Sequence, residues 1–250
     1  MHRKNLTYRL VLLFITLIVI FNFQSCTLKQ TLNINKEAAG DISFELTLAP
    51  FFVEVAEQLS ELFPEENDIP DSSHGIFDVV KIREDFSKSS GSILEKLENP
   101  SSNILQGTLL FDDIRTALNG SGSNNILEIF SFTTKNNINT VSVEINYETV
   151  EQFLMANPSM NSPLMESFGP LANRGLNKED YLDMMQFALG DESRVGIRES
   201  YLIMDINVDG KIISQSGGTK VDQDTVRFKI PLLRILLLDE PESFSVSFSD

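Results

Sequence analysis

The chain has 250 residues, of which 36 are acidic and 20 basic, so its formal net charge at pH 7 is −16. Nucleic-acid binding requires a basic patch, and this charge balance argues against that class of partner. With one cysteine there is no intrachain disulfide, and 42% hydrophobic residues are enough for a core that stabilises the fold instead.

The N-terminal segment has the pattern of a signal peptide. Three basic residues and no acidic residue lie in the first nine positions, and an apolar run over residues 10–21 follows, interrupted by Thr16 alone. As a helix, residues 10–23 would rise about 21 Å at 1.5 Å per residue, which is shorter than the ~30 Å hydrocarbon core of a bilayer. We therefore expect a cleaved signal rather than a transmembrane anchor.

The end of this segment resembles the lipobox of bacterial lipoproteins, in which a small residue precedes a cysteine that is acylated and becomes the mature N-terminus. Here Ser25 precedes Cys26, while Phe23 and Gln24 depart from the usual residues, as in the lax boxes of spirochaetes. The resemblance implies palmitate-type acyl chains on Cys26, each contributing roughly 0.8 kcal/mol per buried CH₂. Because Thr27 rather than Asp follows, the enterobacterial sorting rule implies the outer membrane.

Two other interpretations of the segment stay open, namely an ordinary secretory signal and a short uncleaved anchor with a free cysteine. The predicted organisation is a signal peptide over residues 1–25 and one extracytoplasmic domain over residues 26–250, with a possible sub-boundary near residues 119–125. Removing residues 1–25, which carry three bases and no acid, changes the net charge from −16 to −19.

The first half of the mature chain begins with alternating polar and apolar residues. This alternation predicts an opening hairpin from strands over residues 30–35 and 42–48. Helical spacing of apolar residues then predicts a helix that starts at Pro50 and stops at Pro64. Further along we expect a short helix over residues 76–88 and strands over residues 93–97 and 104–111, the last two separated by a turn over residues 99–103.

The second half continues the mixed order of strands and helices. A hairpin is predicted over residues 127–146, a helix over 149–156, and a helix capped by Asn177 and closed by Gly190. Asp209 and Gly210 predict a two-residue turn that joins paired strands over residues 201–208 and 211–216. Further strands are expected over residues 225–230 and 244–248, with an apolar segment of ambiguous type over residues 232–238. The fold class is therefore α+β, a mainly antiparallel sheet built from hairpins with helices packed on one side.

A family resemblance rests on both ends of the mature chain. The opening hairpin next to Cys26, the residues from Gly210 to Ile213 and the strand over residues 225–230 before Pro231 resemble the LppM-type domain of bacterial envelope lipoproteins. The resemblance implies a folded extracytoplasmic module of uncharacterised role. Its motifs are strand and turn patterns, so it supplies no catalytic residues.

One stretch matches the spacing of a calcium loop. Asp205, Asn207, Asp209 and Gly210 occupy the positions of three oxygen ligands and the turn glycine of an EF-hand. However, the position that should supply a bidentate glutamate is Ser216, and the preceding residues have strand character. The alternation favours a strand with polar residues on its solvent face, so we predict no metal site and keep these three residues as a weak calcium candidate.

Other candidate groups are less specific. His74 is the one histidine of the mature chain, but its neighbours in the chain cannot form a catalytic triad with it. Asp222 and Asp224 form a carboxylate pair of a kind that arises by chance in a chain this acidic. The Gly-Gly-Thr-Lys run over residues 217–220 lacks the order and the following helix of a phosphate loop.

The sequence thus predicts no enzyme, no cofactor and no catalytic residue. We expect a lipoprotein of the bacterial envelope that is tethered to the membrane through acyl chains on Cys26 and serves as an interaction or ligand-binding module for an unknown protein or lipid. The alternative is an accessory protein of envelope assembly or lipid transport, and the third possibility is a hydrolase. An apolar cleft lined by Phe or Met would favour lipid transport, whereas a filled core would favour protein interaction.

Overall fold

The computed structural model describes residues 25–62, 76–87, 91–119, 129–156 and 163–249. These ranges form a mixed α+β fold whose strands are mostly antiparallel, which confirms the predicted class. The strands are β1 (Thr27–Ile34), β2 (Gly40–Thr47), β3 (Ser92–Ser101), β4 (Ile104–Phe111), β5 (Phe130–Lys135), β6 (Ile138–Ile145), β7 (Tyr201–Val208), β8 (Lys211–Ser216), β9 (Thr219–Lys220), β10 (Thr225–Pro231) and β11 (Glu242–Ser249). The helices are α1 (Pro50–Leu62), α2 (Val79–Ser87), α3 (Ile114–Asn119), α4 (Tyr147–Ala156), α5 (Pro163–Phe168), α6 (Lys178–Leu189), α7 (Asp191–Arg198) and α8 (Leu232–Leu237).

The strands are divided between two sheets. The large sheet has the order β3-β4-β2-β1-β7-β10-β9, and the small sheet has the order β5-β6-β11-β8. Neighbouring strands are antiparallel except for β1 and β7, which run parallel with Thr27 opposite Tyr201 and Ile34 opposite Val208. The strand that follows Cys26 thus lies in the middle of the large sheet, between the strand next in sequence and one about 170 residues later.

The two sheets enclose the larger of two apolar cores, here called the inter-sheet core. Alternate residues of β1, β7 and β10 face alternate residues of β6 and β11, as period-2 patterning requires, and β8 contributes Ile212. Phe228 and Phe244 stack at its centre with ring centroids 4.4 Å apart. Its fully or nearly fully buried members include Leu32, Ile34, Val141, Ile206, Val208, Ile212, Val226, Phe228, Val246 and Phe248.

The second core, here called the helical cluster, lies where α1, α6, α7 and α8 meet. Tyr181 and Leu182 of α6 are fully buried in it, and Phe51, Ile197 and Leu233 pack from the other three helices. The Asn177 side chain caps α6 by accepting hydrogen bonds from the main-chain N–H groups of residues 179 and 180, as predicted. The buried stripe of α6 consists of Tyr181, Leu182, Met185 and Leu189.

The prediction of a β-hairpin at Asp209 and Gly210 is wrong. These residues join β7 and β8, but β7 pairs with β1 and β10 in the large sheet, while β8 pairs with β11 in the small sheet. Val208 and Ile212 on either side of the turn are both buried in the inter-sheet core. The corner lets two consecutive strands approach this core from opposite sheets, which a hairpin within one sheet could not do.

Other predicted elements differ mainly in their ends. The opening hairpin, α1, α2, α4 and the β5–β6 hairpin are present, and both residues of the last turn, Asn136 and Asn137, have positive φ. The predicted turn over residues 99–103 is shorter, because β3 continues through Pro100 to Ser101. A proline fits there since β3 is an edge strand with an irregular register near its end. The ambiguous segment over residues 232–238 contains α8, and α3 and α7 were not predicted.

Candidate functional site

Cys26 lies at the point where the described chain enters the fold. Its main-chain N–H donates to Ser200 Oγ at 2.8 Å, and its carbonyl oxygen accepts from Tyr201 N at 3.2 Å. Its Sγ accepts from Ala49 N at 3.3 Å, and its side chain packs against the helical cluster. Since β1 begins at the next residue, no spacer separates Cys26 from the folded body.

The surroundings of Cys26 hold it firmly. Ser200 is fully buried and donates its own hydroxyl hydrogen to Gly196 O at 2.6 Å, so it joins Cys26 to the last turn of α7. Burial raises the pKa of the Cys26 thiol, which opposes formation of the thiolate at neutral pH. The partners of Cys26 come from segments that sequence reasoning did not connect, because the parallel β1–β7 pair leaves no local signal.

Residues 1–24 of the predicted signal peptide lie outside the described residues, and so does His74. Within the described ranges, no helix combines the length and the apolarity needed to cross a bilayer. The predicted lipidation of Cys26 and the predicted domain limits stay predictions.

The three residues of the calcium candidate are not brought together around a common point. Asp205 forms a bidentate ion pair with Arg227 across the large sheet, with oxygen–nitrogen distances of 2.7 and 2.6 Å. Asn207 donates to Asn33 Oδ1 at 2.8 Å on the neighbouring strand, and Asp209 lies in the corner between the sheets. In the described part of the chain, no group of three His, Cys, Asp or Glu residues is placed to hold a metal ion.

The carboxylate pair and the glycine-rich run have structural roles. Asp222 accepts from the main-chain N–H of Asp224 at 3.2 Å, and hydrogen bonds of this turn lower the pKa of Asp222. A lowered pKa is the opposite of what a general acid needs. Gly217 and Gly218 connect β8 to β9, so the run carries the chain from the small sheet to the large one. Lys220 donates to Ile212 O at 3.4 Å.

The outer face of the large sheet is largely polar and crosses the six strands from β3 to β10. Its side chains form rows of cross-strand partners: Asn33 donates to Asp41 at 2.9 Å, Lys29 pairs with Glu45 at 3.2 Å, and Gln106 donates to Glu98 at 2.9 Å. Such cross-strand pairs contribute to sheet stability. A shallow cavity of about 240 Å³ lies on this face, lined by Lys29, Thr31, Ser43, Phe44, Glu45, Lys96, Gln106, Gly107 and Thr108.

A second cavity, of about 410 Å³, lies beside α4 and the end of α8. Tyr147, Gly175, Leu176, Asn177, Leu237, Leu238 and Asp239 line it. The Tyr147 hydroxyl donates to Leu237 O, and the Arg174 guanidinium lies 5.3 Å from the centroid of the Tyr147 ring. These contacts fix the wall of the cavity but place no nucleophile and base together.

No protein-family model matches the chain, and no curated protein was found to match it. Among solved structures, the chain is similar to the NMR structure of the folded domain of LppM from Mycobacterium tuberculosis. The two are 10% identical with a TM-score of 0.38, over 90% of this chain and 89% of that chain. This neighbour is a domain of the type that the strand and turn pattern of the sequence resembles.

Proposed function

We propose that this chain is a bacterial envelope lipoprotein, in which acylated Cys26 tethers a non-enzymatic binding module outside the cytoplasm. One observation carries the proposal: Cys26, where the sequence predicts cleavage and acylation, is followed at once by β1, which begins at Thr27. A chain cleaved after Ser25 would keep every strand and helix of the described fold. Acylated Cys26 would be the first residue of the body and its membrane anchor at once.

The binding role is supported by where polar and apolar groups lie. Both apolar cores are filled by packed side chains, and neither described cavity is an apolar cleft lined by Phe or Met. This arrangement favours an interaction module over a carrier that encloses a lipid. The polar outer face of the large sheet is the surface that such a module would use, and its rows of fixed donors and acceptors are preorganised for a polar partner.

Two finer parts of the proposal rest on the sequence alone. Outer-membrane location follows from Thr27 after the cysteine, and processing by a spirochaete-type signal peptidase follows from the lax residues Phe23 and Gln24. The absence of enzymatic activity is likewise proposed from the lack of a catalytic motif.

The tether is tested by intact-mass analysis and detergent partition of the chain extracted from membranes, with wild type compared with Cys26→Ala. Wild type should have the mass of residues 26–250 plus acyl groups and enter the detergent phase. The Cys26→Ala variant should lack the acyl mass and keep the uncleaved residues 1–25, so the masses of the two chains differ clearly. Ser214→Ala, a change of an exposed residue in β8, serves as the control and should behave as wild type. Identical mass and partition of wild type and Cys26→Ala would contradict the tether.

The binding face is tested by photo-crosslinking in intact cells. A photo-reactive residue at Thr108, on the outer face of the large sheet, should give a defined crosslinked product, whereas the same residue at Thr133, on β5 of the small sheet, should not. Equal products from both positions, or products from Thr133 alone, would place the binding face elsewhere.

A further inference from the structure

We propose that the Cys26 end of the large sheet lies directly on the phospholipid headgroups and fixes the orientation of the tethered body. The surface involved, here called the tether patch, consists of Thr27, Lys29, Tyr201, Ile203 and Lys229. The inference rests on the proposed tether at Cys26 and adds to it a defined contact with the lipid surface.

Strand register places the tether patch beside Cys26. Thr27 is opposite Tyr201, and Ile203 is opposite Lys29 on one side and Lys229 on the other. These side chains lie on the outer face, because the alternate residues of β7 and β10 point into the inter-sheet core. Lys29 is three residues from Cys26, or about 10 Å along the strand.

The Lys229 side chain points toward the tethered end. Its Nζ lies 3.8 Å from the centroid of the Tyr201 ring, so the ammonium group extends from a position opposite Ile203 to the start of β7. The ring of Tyr201 therefore holds the cation next to the strand end where Cys26 lies.

Lys229 differs from the neighbouring cations of this face in that it forms no ion pair with a described carboxylate. On the same face, Arg227 pairs with Asp205 and Lys96 pairs with Glu98, whereas no carboxylate of the described ranges forms an ion pair with Lys229. Lys29 pairs with Glu45, but both side chains are about half exposed and such a pair is weak in water. The tether patch thus presents positive charge in a chain whose net charge is −16.

A lipid surface is the occupant that fits these groups. Lysine stems lie along apolar surface while the ammonium reaches phosphate, and tyrosine is favoured at the membrane interface. The apolar run over residues 10–21 ends four positions before Ser25, the first described residue, so the bilayer is brought to this end whether the segment is cleaved and replaced by acyl chains or retained. Anionic lipids repel the acidic remainder of the body, which favours the orientation with the tether patch down.

The orientation is measured by fluorescence quenching with the acylated chain of residues 26–250. The chain is placed in vesicles of phosphatidylcholine, with or without phosphatidylglycerol, that contain a lipid with a quencher on its headgroup. With Cys26 acylated, a cysteine introduced at Thr47 or at Thr225 is the single free thiol for a fluorophore. Thr47 is opposite Thr27 at the tethered end of the sheet, and Thr225 is opposite Asn207 at the far end.

We expect the label at Thr47 to be quenched more than the label at Thr225, most strongly with phosphatidylglycerol. Each lysine near an anionic surface contributes about fivefold to an equilibrium constant. The double variant Lys29→Gln/Lys229→Gln should therefore lower the preference for the patch-down orientation by about thirtyfold and abolish the added effect of phosphatidylglycerol. The matched control Lys96→Gln/Arg227→Gln removes the same charge from the same face farther from Cys26 and should leave the added effect of phosphatidylglycerol in place.

Two results would overturn the tether patch. One is an added effect of phosphatidylglycerol that survives Lys29→Gln/Lys229→Gln; the other is an equal loss of that effect in both double variants, which would indicate an effect of total charge. The mass of the extracted chain is a separate readout. If no acyl group is attached to Cys26, the tether fails, and that failure is visible before any quenching is measured.

Discussion

The two apolar cores differ in how their residues are brought together. The inter-sheet core collects alternate residues from strands spread between β1 and β11, and both of its sides are sheets. The helical cluster joins four short helices and the Cys26 side chain at one end of the large sheet. The inter-sheet core holds the two sheets together. The helical cluster positions Cys26, the residue through which the folded body would be anchored. A defect in each should therefore have a different consequence.

The largest effect is expected from Phe228→Ala in the inter-sheet core. Phe228 is 1% exposed and stacks on Phe244, so truncation leaves a cavity between two sheets that cannot close around it. We expect a loss of about 4 kcal/mol in the free energy of unfolding, measured by urea denaturation. Phe187→Ala is the matched control: this phenylalanine is 94% exposed, and its loss should change stability by less than about 0.5 kcal/mol. Similar losses in the two variants would mean that the sheets do not form the main core.

A smaller loss, about 3 kcal/mol, is expected from Leu182→Ala in the helical cluster. Leu182 is fully buried, but short helices adjust to a cavity more readily than paired strands do. Hydrogen exchange should accelerate most in α6 and α7 and least in β10. Uniform acceleration across all elements would show that the two cores unfold only as one unit.

Ser200→Ala tests the link between the helical cluster and Cys26. The substitution removes the hydrogen bond to Gly196 and leaves the Cys26 N–H without its acceptor. We expect a loss of about 1–2 kcal/mol, because both groups are buried or partly buried. In Ser214→Ala, which changes an exposed hydroxyl of β8, the midpoint of denaturation should not move. If Ser200→Ala also leaves the midpoint in place, the position of Cys26 does not depend on this hydrogen bond.

The smallest effect is a pH dependence at Glu242, where α8 meets β11. Burial raises the pKa of Glu242, although Arg234 lies 2.5 Å away and opposes the shift. A carboxyl with a raised folded-state pKa adds stability that is fully present below its unfolded pKa of about 4.3 and is lost as the pH rises through the folded pKa. Glu242→Gln should therefore flatten the decline of stability above about pH 4, measured as denaturation midpoints against pH. If the stability of Glu242→Gln declines as steeply as that of wild type, other titrating groups cause the pH dependence.

Sequence patterns predicted the parts of the fold that depend on near neighbours. The patterns that predict β1, β2, β11 and α1 involve residues only two to four positions apart. The cap of α6 is also local, because Asn177 accepts hydrogen bonds from the N–H groups of residues 179 and 180. The short helix α7 was missed because its eight residues include Gly196 and four charged side chains, which leave little apolar periodicity. For the candidate site, the sequence pointed to Cys26 but not to Ser200 or Tyr201, which reach it through pairing between distant strands.

The sequence by itself determined that the chain is acidic, that Cys26 follows an apolar segment of signal-peptide length, and that strands and helices alternate in an α+β order. The tertiary structure alone decided that the described strands form two sheets, that Asp209 and Gly210 form a corner between them, and that Lys229 and Tyr201 lie beside Cys26. The physical reason is the range of the interactions. Composition and periodicity are properties of a short stretch, whereas strand order is set by which apolar faces can be buried together, and that choice involves residues more than a hundred positions apart.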